Sequence, residues 1–132
     1  MTRARRALRL PPGSLTACFV TNTEIAGWNR AYRHKSGPTD VLSFPSDEET
    51  ASLTAGKLPR RTARSNGVYL GDIAIAPAVA RRNARRFGRT FSQELRILIL
   101  HGMLHLMGYD HETDTGQMDR RERLLRRRLG LA

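Results

Sequence analysis

Cysteine occurs once, at Cys18, so no internal disulfide can form and no Cys-rich metal or redox motif is available. A reducing, cytoplasmic setting is expected, with no disulfide partner. Long apolar runs are also missing. The longest passage, 97–100 continuing through Met103, Leu104, Leu106 and Met107, is broken by His101 and His105 and is too short to span a bilayer. No membrane association is expected. Acidic residues are scarce: 23 Lys plus Arg stand against 12 Asp plus Glu, a formal charge of +11 that points to a polyanionic partner. Lysine is confined to Lys35 and Lys57, which is read as the codon usage of a GC-rich genome rather than as selection for phosphate contacts.

What is present suits one domain: 132 residues with 39% apolar content supply one core and not two. The basic stretch at 1–13 meets Pro11 and Pro12 without an apolar h-region and is expected to be a poorly ordered arm. Residues 14–132 are expected to form the domain. LTACFV at 15–20 reads as a strand, with Thr21, Asn22 and Thr23 as candidate caps of a helix over about 23–34. Gly37 and Pro38 stop that helix, and Val41 to Phe44 form a short strand. Residues 46–67 show no sustained period and read as a long loop. VYLGDIAIA at 68–76 is the clearest strand, and Pro77 suits the first turn of a helix ended by Gly88. A further helix runs from a Ser92 cap to Gly108, and a last one covers about 114–129. Strands that precede and interleave with helices predict an α+β fold with a short mixed sheet, several helices and a metal site at a helix end.

Three of the four histidines fall within HGMLHLMGYDH at 101–111. His101 and His105 are four apart on the predicted helix, which puts both imidazoles on one face with Cβ atoms about 5–6 Å apart. One metal ion can bridge that separation with Zn–N bonds near ~2.0–2.1 Å. Gly108 lets the chain leave the helix through a left-handed turn, so that His111 folds back as a third ligand. Three nitrogen ligands without a dedicated fourth describe an open, catalytic type of zinc site, which nickel or cobalt would fit equally. The bland alternative makes His101 and His105 core histidines and His111 a turn residue. Tyr109 and Asp110 can orient a ligand imidazole, although aspartate suits the turn in any case. Zinc peptidases of the His-Glu-x-x-His kind need a glutamate where Gly102 stands, so peptidase chemistry loses its base. A glycine there is consistent with room for a bulky substrate such as RNA.

The stretch NRAYRHKSGPTDVLSFP at 29–45, LGDIAIA at 70–76, HGMLHLMGYDH at 101–111 and the following Met118 and Glu122 together resemble the YbeY-type bacterial endoribonucleases. The resemblance runs from about residue 22 to the C-terminus. It implies a small α+β domain, one zinc ion on His101, His105 and His111, and single-strand endoribonuclease activity. It further implies roles in 16S rRNA 3′-end maturation and ribosome quality control, with rRNA, the small ribosomal subunit and ribosomal proteins as partners. Arg33 matches the family's functional arginine, and its fork of donors suits a bidentate grip on a phosphodiester. The chain departs from the family in a shorter stretch before Leu15 and in the additional charges Arg60, Arg61 and Arg64.

The mechanism expected is metal-assisted phosphodiester cleavage, with Arg33 stabilising transition-state charge. No side chain stands out as a general base. Asp72, a carboxylate in an apolar strand, is a candidate either to orient a ligand or to pair with a buried arginine. The arginine faces at 81–89 and 120–128 supply nonspecific, salt-sensitive RNA affinity. Two other readings compete: a ribosome-assembly or RNA-binding factor whose zinc is structural, and a zinc peptidase or amidohydrolase with a base from elsewhere.

Overall fold

Apolar alternation at Ile73 and Ile75 against Ala74 and Ala76 gives one strand two buried faces, and the fold is built around it. The computed structural model describes residues 2–8, 10, 13–46, 69–110 and 113–131. In chain order its elements are α1 (Thr2–Ala7), β1 (Leu15–Phe19), α2 (Asn22–Arg33), β2 (Val41–Pro45), β3 (Gly71–Ile75), α3 (Pro77–Arg86), α4 (Phe91–Leu106) and α5 (Gln117–Arg128). Strand β3 lies between the other two, parallel to β1 and antiparallel to β2. All five of its residues are buried, as a strand covered on both faces requires. The expected α+β architecture with a short mixed sheet is therefore observed.

Ile73 and Ile75 share one apolar cluster with Val41, Leu100, Met103 and Leu104, which brings α4 onto that face of the sheet. Ala74 and Ala76 share the other cluster with Leu42, Phe44, Ile25 and Trp28, which seats α2 on the opposite face. The sheet is thus a middle layer between α2 and the helices α1, α4 and α5.

Element boundaries differ from the sequence expectations where side-chain chemistry decides them. Thr21 caps α2 in a capping box with Glu24. Helix α4 starts two residues earlier than a Ser92 cap allows, because Thr90 accepts from the Gln93 amide while the Gln93 side chain accepts from Thr90. Helix α5 begins at Gln117 rather than 114, since Asp114 stays outside it and accepts from the amides of Gly116 and Met118, each at 2.9 Å. Pro77 occupies the first turn of α3 as expected. Part of the stretch expected as a poorly ordered arm is helical: Ala4 and Leu8 are buried in the main cluster, with Ala7 packed against it. Spacings of three and four place these three side chains on one face, and that short stripe docks α1. The loop expected at 46–67 lies, beyond Ser46, outside the described residues.

Candidate active site

Helix α2 delivers Arg33 as its last residue, because His34 adopts a left-handed conformation (φ 56°) and ends the helix there. Its orientation is fixed by aromatic packing on β2. Trp28 and Tyr32 both meet the Phe44 ring edge-on, with centroids 5.7 and 5.3 Å apart. Burial pushes the Tyr32 phenol, next to Arg33 in the chain, above its ordinary pKa.

Helix α4 delivers His101 and His105 one turn apart, with ring centroids 4.8 Å apart and planes at 77°. Both line a cleft of about 470 Å³ together with Tyr32, Arg33, β2, Gly108, Tyr109 and Asp110. Three separate parts of the chain therefore converge on it: the end of α2, the outer strand β2 and the end of α4. Inter-strand bonds from Ala76 to Asp40 and from Ser46 to Leu70 set the β2 pairing. With that register the backbone groups of Val41 and Ser43 face away from β3, on the side of β2 where no other described strand pairs.

Glu122, one of the residues that carry the family resemblance, reaches the pair from α5. Its Oε1 lies 2.6 Å from His101 Nδ1. Arg126 Nη1 stands 3.7 Å from the other carboxylate oxygen. A smaller cavity of about 320 Å³ on this side is lined by Arg33, Lys35, Asp40, Glu94, His101 and Glu122. The His101 ring and Arg33 thus border both spaces. The sequence signal for Glu122 is a charge set, with Arg121, between apolar positions of one helix face. Met118 and Leu125, four residues before it and three after, are fully buried and turn that side of α5 inward.

The other expected residues divide. Gly108 has φ +100°, the left-handed exit anticipated from sequence. His111 lies outside the described residues, and among those described no group of three or more His, Cys, Asp or Glu is arranged to hold a metal ion. Asp110 sits in the cleft wall and also serves the turn, its carbonyl accepting from the Thr113 and Asp114 amides. Asp72 is not among the residues lining the cleft, and its partner is not an arginine: the buried carboxylate accepts from the Tyr69 hydroxyl, which lies 2.8 Å from the Thr16 hydroxyl. The donor to this carboxylate thus comes from the residues just before β3 rather than from an arginine.

Gly102 corrects a second expectation. Its missing side chain leaves no space for substrate, because a Cβ there would lie 2.9 Å from Ile73 Cδ1. The helix turns position 102 into the sheet, and absence of a side chain is what lets α4 approach β3 so closely. A larger depression of about 670 Å³ at the end of α2 contains His34 but neither His101 nor His105. The histidine cleft is the candidate site because convergent polar groups, not volume, mark one.

The family model for endoribonuclease YbeY matches residues 3–130, well upstream of the point where the motif resemblance begins. A protein of Sulfurovum sp. (strain NBC37-1) named endoribonuclease YbeY is 40% identical over 113 residues, spanning 86% of this chain and 70% of that one. One of the same name from Koribacter versatilis (strain Ellin345) is 40% identical over 131 residues, spanning 99% and 74%. A Thermotoga maritima protein known from a solution structure superposes with a TM-score of 0.48 at 25% identity, over 92% of this chain and 78% of that one. With nearly its whole length matched, the chain belongs to the endoribonuclease YbeY family.

Proposed function

We propose that this protein is a zinc-dependent endoribonuclease that cleaves single-stranded RNA, acting in the cytoplasm on the 3′ end of 16S rRNA and in ribosome quality control. The observation that carries this reading is the convergence of Arg33 with His101 and His105 in one cleft. Family membership supports the RNA substrate, and the +11 charge suits a polyanion.

Two of the three expected ligands, His101 and His105, line one cleft, a donor pair whose chemistry suits a zinc ion. Two imidazoles share one helix face at 4.8 Å between ring centroids, and Glu122 engages Nδ1 of His101, which makes Nε2 the nitrogen that would meet a metal. His101, His105 and His111 would hold the ion, which supplies a Lewis acid that polarises a phosphodiester oxygen. Arg33 grips the nonbridging oxygens through its planar fork and stabilises the charge that grows on them during cleavage. The outward amides of Val41 and Ser43 offer donors to an extended strand laid along the β2 edge. The neutral Tyr32 hydroxyl adds a polar group without repelling phosphate.

Peptidase chemistry has less support, because position 102 faces Ile73 and not the cleft. The test is cleavage of a single-stranded 16S rRNA 3′-end precursor by the wild-type chain and by His105→Ala and Arg33→Ala, purified identically, with casein cleavage and zinc content measured in parallel. Both variants are expected to lose RNA cleavage with circular dichroism unchanged, and Arg33→Ala is expected to retain zinc. Equal cleavage by all three would mean a contaminating nuclease. Salt-sensitive rRNA binding without cleavage would favour an assembly factor with structural zinc.

A further inference from the structure

We propose that Glu122 is a positioning residue that selects the tautomer of His101 and holds its ring for metal binding. The inference rests on the zinc reading above and extends it to a residue outside the histidine motif. A carboxylate is acceptor-only, so the 2.6 Å contact between Glu122 Oε1 and His101 Nδ1 requires the proton to reside on Nδ1. In the neutral imidazole the lone pair is then on Nε2, the nitrogen that would ligate a metal.

Placement agrees with that division. Glu122 lines the smaller cavity and not the cleft, His105 lines the cleft and not the smaller cavity, and His101 borders both. The imidazole stands as a partition, with its carboxylate partner on one side and its companion histidine on the other. The carboxylate is itself held in place. Its side chain is 15% exposed, with Arg126 3.7 Å from Oε2, and Met118 and Leu125 lock its helix into the core. Such a partner does two things for a ligand: it removes the wrong tautomer and it raises the basicity of the donor nitrogen.

The experiment uses the full chain, with zinc affinity measured by competition against a chromophoric chelator. Wild type is compared with Glu122→Gln, Glu122→Ala and His105→Ala. Histidine ¹⁵N spectra of the metal-free proteins report the His101 tautomer. Glu122→Ala is expected to weaken zinc binding by about 10–100-fold and to release the Nδ1–H preference. Glu122→Gln keeps the volume and an acceptor oxygen but not the charge, so it is expected to retain the tautomer and fall between the two. A purely structural ion pair would lower the melting temperature while leaving affinity and tautomer in place. That result overturns the proposal, as does wild-type affinity in Glu122→Ala. If His105→Ala abolishes binding while both Glu122 variants bind normally, the zinc reading stands and the positioning role alone falls. If the wild-type chain does not bind zinc, both fall.

Discussion

A methyl group added at Gly102 separates a packing role for that residue from an opening for substrate. In Gly102→Ala the new Cβ would lie 2.9, 3.0 and 3.1 Å from Cδ1, Cγ2 and Cγ1 of Ile73. Ile73 is fully buried in the central strand, so its side chain has no solvent to move into. The contact involves both branches of a β-branched residue whose χ1 is stiff, which rules out relief by rotating one terminal methyl. Overpacking of this kind costs about 1–3 kcal/mol, with the upper half expected here. Replacing glycine by alanine within a helix returns about 1 kcal/mol. The net loss is about 1–2 kcal/mol, a fall of about 3–8 °C in melting temperature for a domain of this size. Thermal and urea unfolding of the metal-free chain measure it. Ile73→Val removes the nearest atom and alone costs about 0.5–1.5 kcal/mol. In the double variant the two losses should fail to add by about 1 kcal/mol in the favourable direction. A Gly102→Ala protein that melts higher than wild type, with an additive cycle, would refute the packing argument and return the position to the substrate.

Three further outcomes are expected. Thr90→Ala breaks the capping box of α4 and should cost about 1 kcal/mol in urea unfolding, whereas Ser92→Ala should stay within about 0.5 kcal/mol; the reverse order would move the helix start. Tyr69→Phe removes the donor to the buried Asp72 carboxylate and should cost about 1–3 kcal/mol; an unchanged urea midpoint would show that the carboxylate is satisfied otherwise. Burial, and after it Asp72 and Glu24, push the Cys18 thiol above its ordinary pKa of 9.0. The folded chain then holds the thiol proton more tightly than the unfolded one. The resulting stability is present below the ordinary pKa and is lost as pH rises through the elevated one. Near neutral pH Cys18 should react with an aromatic disulfide reagent more slowly in the folded chain than in urea, and equal rates would contradict the shift.

Sequence alone determined the features whose cause is local. Four-residue spacing on a helix puts His101 and His105 on one face wherever that helix goes, and Gly108 ends it through a left-handed turn that glycine adopts freely. The continuous apolar run around Ile73 to Ala76 marked the central strand, and Pro77 marked the start of the helix after it. Only the tertiary structure decided what meets these elements. Arg33 shares a cleft with the histidines because Trp28 and Tyr32 dock against Phe44, a packing event between segments with no shared periodicity. The role of Gly102 is hidden from the sequence for the same reason: its neighbour Ile73 is brought close by α4 packing on β3, and no local pattern announces that approach. Asp72 finds Tyr69 rather than an arginine because the chain entering β3 carries that hydroxyl past the strand. Glu122, 21 residues from His101 in the chain, meets it at 2.6 Å only because the buried Met118 and Leu125 turn one face of α5 toward α4. Periodicity assigns a side chain to a face, whereas the pairing of faces depends on how apolar surfaces find one another across the whole chain.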